Sequence, residues 1–108
     1  MSLRKVPRAE WVGALDRFSR EHRAWLANVL DVHGDVEAVR VEERPLHSID
    51  VGNSMVAIAF ADDTPALRVD EARVLRMDDS GLAIESPHGT MRLRLRYSGS
   101  TGSPGAGS

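Results

Sequence analysis

The stretch GTMRLRLRY, residues 89–97, alternates Met91, Leu93, Leu95 and Tyr97 with Arg92, Arg94 and Arg96. Strict period-two alternation marks a half-buried strand, because successive side chains of a strand point to opposite faces. Such a strand has one apolar face and one arginine face, and the rest of the chain is read by asking what each face meets. Upstream, the turn-forming runs DDSG (78–81) and PHGT (87–90) bracket two further alternating segments. Parity restricts their register, since a slip of one residue turns every side chain over. Four-residue loops at 78–81 and 87–90 place Leu75, Ile84 and Leu93 in one apolar row and Met77, Leu82 and Leu95 in the next. The other face then holds Val74, Glu85 and Arg92 in one row and Arg76, Ala83 and Arg94 in another, with Arg96 beyond. Arg76, Arg92, Arg94 and Arg96 form a patch with Glu85 as its one counter-charge, a candidate binding surface.

Further turn signals stand at HGD (33–35), VGNS (51–54) and DDTP (62–65). Strands are expected at 26–32, 36–44, 46–51, 55–61, 66–69 running on to 72–77, 82–86 and 91–97. Pro45 donates no ladder hydrogen bond, so it either kinks one long strand or separates two. Before these strands the period is helical: Trp11, Leu15, Phe18, His22 and Trp25 form one stripe, and Asp16/Arg20 and Arg17/Glu21 are spaced to pair on the other face. Pro7 suits a first turn, and the spacing predicts a helix from about Pro7 to His22. Together the elements predict an α+β domain over residues 1–97, one N-terminal helix packed on an antiparallel meander of about five to seven strands. A version curled into a small open barrel fits as well. The last eleven residues, SGSTGSPGAGS (98–108), offer nothing to bury and read as a disordered Gly/Ser-rich tail.

The chain has 108 residues and no cysteine, so one packed domain without disulfides or thiolate chemistry is expected. No stretch approaches the ~20 apolar residues of a spanning helix, and MSLRKVPRAEW lacks an apolar run of signal-peptide length. The expectation is a soluble, cytoplasmic protein. Net charge is −2, but residues 1–25 carry +3, residues 26–90 carry −8 and the remainder +3. Basic ends can serve an acidic partner or simply attract the acidic middle within one fold. Thirteen arginines stand beside a single lysine, Lys5. That bias resembles genome composition more than selection for phosphate contacts.

The elements PRAEW, FSREH and ESPHGT, in this order, resemble a PRxEW…FSxxH…ESxxGT pattern in a family of small bacterial proteins catalogued only as a domain of unknown function. The pattern falls on Pro7, Arg8, Trp11, Phe18, His22, Trp25, Glu85, Ser86, Gly89 and Thr90. The resemblance implies a bacterial source and a compact helix-plus-sheet domain, and no activity. The central part is shorter than the family pattern, and the tail after Tyr97 lacks family character.

Each candidate site has a plainer reading beside it. The arginine face could contact phosphates, but its strands carry no stacking aromatic on that face, Tyr97 belonging by parity to the inward row. The plainer reading is a solvated face that keeps the sheet from aggregating. His33 and His88 each precede a glycine in a turn, and Asp31, His33 and Asp35 could hold a metal with Asp62 or Asp63 if their turns meet at one end of the sheet. His-Gly is also ordinary turn chemistry. His22 on the apolar stripe reads as a partly buried histidine bonded to backbone. His47 and Ser48 point to opposite faces of a strand, which defeats a His47, Ser48, Asp50 triad. The doublets Asp62-Asp63, Asp70-Glu71 and Asp78-Asp79 read as solvated turn residues. Trp11, Phe18 and Trp25 read as core, or as a self-association surface should the helix swing away. No cofactor, metal or catalytic residue is assigned. The expectation is a non-catalytic binding or protein-interaction module whose partner is a second copy of the chain or another protein; nucleic-acid binding through Arg76, Arg92, Arg94 and Arg96 is the alternative.

Overall fold

The computed structural model describes residues 3–97; the expected tail at 98–108 lies outside the described residues. Strand β1 (Arg4–Val6) leads through Pro7 into a 3₁₀ turn (Arg8–Glu10) and helix α1 (Trp11–Glu21). The helix therefore begins later than expected: Pro7 sits at φ −59 and ψ 145, an extended conformation, and the first turn after it is tighter than α. The stripe behaves as its spacing requires. Trp11, Leu15 and Phe18 are buried, and the Trp11 indole N–H donates to the Val6 carbonyl at 2.9 Å. Arg8 crosses the Trp11 ring at 4.0 Å and donates to the Ala72 carbonyl at 2.7 Å, tying the start of the helix to the middle of the chain.

Seven further strands follow: β2 (Leu26–His33), β3 (Val36–Gly52), β4 (Met55–Phe60), β5 (Leu67–Asp70), β6 (Val74–Met77), β7 (Gly81–Ser86) and β8 (Gly89–Arg96). All pairings are antiparallel, in the order β1-β6-β7-β8-β2-β3-β4-β5. The α+β class stands, with eight strands rather than five to seven, because β1 adds an edge and β5 and β6 are separate. Pro45 bends one strand: the first half of β3 pairs with β2 and the second, from Leu46, with β4. Only Glu71–Arg73 join β5 to β6, although the two stand far apart in the hydrogen-bonded order. Three residues span roughly 10 Å, so the sheet must curl until its two sides approach. It does not close into a barrel, since no ladder joins its edge strands β1 and β5 among the described residues.

The register of β6 and β7 is the expected one: Leu75 faces Ile84, and Met77 faces Leu82. That of β7 and β8 differs by two residues, with Ile84 opposite Met91 and Leu82 opposite Leu93. The reason is the turn. Ser86 pairs with Gly89, leaving a two-residue loop, and the Ser86 hydroxyl accepts from the His88 amide at 3.2 Å and donates to the Gly89 carbonyl at 3.3 Å. A slip of two preserves every face, so Met91, Leu93 and Leu95 are buried as expected while their partners change. Tyr97 departs from the inward row: it is exposed just past β8, its ring centroid 5.2 Å from that of Trp25. The core of Leu46, Val56, Ile58, Leu75, Ile84 and Leu93 fills the concave side of the curl, with α1 against β3 at one end.

Candidate functional site

The shorter hairpin rearranges the arginine face. Arg92 lies across from Ala83, not Glu85, and Arg94 across from Gly81, so Arg76, Ala83 and Arg92 share a row. Glu85 instead binds Arg76, Nε to Oε2 at 2.9 Å. Arg94 lies 3.8 Å from Asp78, and Arg96 is held by Glu43. Among the described residues Arg92 alone of the four forms no ion pair, and its sheet neighbours are Ala83 and Leu30. Three acids accompany the four cations, where the sequence reading expected one.

Glu43 is the centre of that arrangement. It stands at a bulge where β2 and β3 lose step, with φ +55. Its amide donates to Asn28 Oδ1 at 3.1 Å, and Asn28 Nδ2 donates to its carboxylate at 2.7 Å. Bonds from Arg96 and then Asn28 hold its carboxyl below the ordinary value, and the same contact pushes Arg96 up. Asp62 is likewise lowered, chiefly by Thr64, whose amide it accepts at 2.9 Å. Asp78 accepts the Ser80 amide at 3.0 Å in the same kind of turn. These acids are turn formers with nearby counter-ions.

At the end of the curl remote from α1, a pocket of about 260 Å³ brings together Asp31, His33, Arg40, Arg68, Asp70 and His88. The two histidine turns do meet here. Asp62 and Asp63 do not, because β4 is much shorter than β3 and their loop stops beside Arg40–Arg44. Within it Asp31 pairs with Arg40 and Asp70 with Arg68 at 2.8 Å, while His88 Nε2 lies 3.3 Å from Glu71, which stands outside the lining. Among the described residues no three His, Asp or Glu side chains gather as a metal ligand set. The Ser48 hydroxyl is 3.4 Å from Asp50, and no hydrogen bond links it to His47.

The edge of β3 is a feature the sequence reading passed over. Residues 36–44 pair with β2 on one side and, among the described residues, with no strand on the other. Val36 and Val39 on this segment are 65% and 63% exposed. The loop 62–65 stands beside its inner half, leaving a groove of about 570 Å³ between loop and strand. The outermost strands of the sheet, β1 and β5, are only 3 and 4 residues long and carry Arg4, Lys5, Arg68 and Asp70. Short charged edges resist pairing, whereas a long edge with valines invites it. The signal lay in the strand reading itself: 36–44 and 46–51 are separate segments, and only their fusion around Pro45 shows that β4 covers just the second.

No family model, curated protein or solved structure matches the chain. No helix among the described residues is long and apolar enough to cross a membrane.

Proposed function

We propose that the chain is a non-catalytic protein-interaction module whose binding element is the open edge of β3 at residues 36–44, with a second copy of the chain as partner. The observation that carries this reading is a long unpaired strand edge bearing two exposed valines, in a sheet whose two terminal edges are short and charged. An added strand gains main-chain hydrogen bonds along the edge and apolar contact at Val36 and Val39. Nucleic-acid binding through Arg76, Arg92, Arg94 and Arg96 is the weaker alternative, because three of those four cations have acidic partners.

Sedimentation over a concentration series tests the proposal. The wild type is expected to self-associate, with amide exchange over 36–44 slowing as dimer forms. Val36→Lys with Val39→Lys is expected to return it to monomer while leaving stability within about 0.5 kcal/mol, as for exposed positions generally. A chain that stays monomeric up to about 1 mM, where only very weak association escapes detection, overturns it.

A further inference from the structure

Apart from the edge of β3, the pocket at the end of the curl away from α1 holds donors that the fold does not use. Its walls come from three places in the chain: β5, the pair β2 and β3, and the β7–β8 turn. Its floor is apolar, since the core side chains Val69 and Met91, each 7% exposed, belong to the lining. Arg40 on β3 and Arg68 on β5 enter the lining from strands that share no ladder. Each is held by one acid through a single nitrogen, Arg40 Nη1 on Asp31 and Arg68 Nε on Asp70. The Asp31 side chain is 17% exposed and that of Arg40 48%, so the acid anchors the arginine from within and leaves much of it accessible. The other N–H groups of both guanidinium forks meet no acceptor among the described residues. The wall opposite is set firmly. The His33 ring packs on the bare backbone of Gly89, where a Cβ would stand 2.7 Å from its Nδ1.

We infer that this pocket binds a small organic carboxylate with an apolar body, the carboxylate taken by the forks of Arg40 and Arg68 and the body lying on Val69 and Met91. A guanidinium fork matches the planar pair of oxygens of a carboxylate. Small-molecule sites combine apolar surface with a few placed polar groups, and the mouth of a curled sheet is one of their usual places. Charge selects among anions. Asp31 and Asp70 already balance the two arginines. A dianionic phosphate therefore meets twice the repulsion that a singly charged carboxylate meets. An ion as small as acetate leaves the apolar floor uncovered and forgoes that burial. The volume of about 260 Å³, roughly that of nine liquid waters, suits a body of a few carbons.

The test is a titration of the ¹⁵N-labelled chain at neutral pH with 3-methylbutanoate, read at the amides of His33, Gly89 and Thr90 and at the Nε signals of Arg40 and Arg68. Saturable shifts centred on these groups are expected, with a dissociation constant of about 1 mM or tighter. Acetate lacks the body, 3-methylbutanamide lacks the charge and inorganic phosphate carries too much of it, and each is expected to bind roughly tenfold more weakly or worse. Arg68→Gln is expected to weaken 3-methylbutanoate roughly tenfold, as loss of a charged hydrogen-bond donor does, whereas Arg94→Gln on the arginine face leaves it unchanged. No saturable shift, shifts centred elsewhere, or equal binding of any of the three control probes overturns the proposal. Arg68 is exposed and lies outside residues 36–44, so sedimentation of Arg68→Gln reads the strand edge separately from the pocket. If that variant fails to fold, the four probes on the wild type still decide.

Discussion

Gly89 shows how one residue sets a register. Its φ is +132, and a Cβ added there would stand 2.7 Å from both the Val32 carbonyl oxygen and His33 Nδ1. The carbonyl is backbone and cannot swing aside, so the two-residue turn and the close approach of β2 both require glycine. Gly89→Ala is expected to cost roughly 2–3 kcal/mol, combining backbone strain with overpacking, and a denaturant midpoint will read the loss. Glu43 makes a different point at the same scale. Its carboxyl is lowered from 4.5, first by Arg96 and then by Asn28, so its folded value lies below its unfolded one. The stability it contributes is present above the unfolded value and disappears as pH falls through the folded value. Glu43→Gln is therefore expected to flatten the decline of the denaturation midpoint on acidification below about pH 5, with little change in shape above that.

Among the elements, α1 was legible because its stripe repeats over three turns, and a repeated period survives uncertainty at the ends. Its start was not, since Pro7 permits either an immediate α turn or the tighter turn found at Arg8–Glu10. Leu15 is fully buried on that stripe, and Leu15→Ala is expected to lower stability by about 2–5 kcal/mol, measurable by thermal or chemical unfolding. The β7–β8 hairpin was legible in its faces and illegible in its partners. Parity distinguishes odd slips from even ones and is blind to a slip of two. Only the Ser86 bonds and the packing of Gly89 choose the shorter loop. The consequence reaches the candidate site, because that slip gives Glu85 to Arg76 and leaves Arg92 beside Ala83 and Leu30.

Across the whole molecule, the decisive feature is the curl that lets three residues carry the chain from β5 to β6. It brings the turns of His33 and His88 to one end, sends Asp62 and Asp63 elsewhere, and leaves half of β3 paired on one side only among the described residues. The sedimentation experiment belongs here, since self-association through that edge depends on the order of all eight strands. The sequence by itself determined the class of fold, the helical stripe and which face of each C-terminal strand is buried, because these follow from local periodicity and the need to bury apolar surface. Tertiary structure decided the strand order, the partners of each arginine, the open edge at 36–44 and the two carbonyls that meet His22. Those depend on distances between residues far apart in the chain, set by how the sheet twists and where its loops end, and periodicity carries no such information.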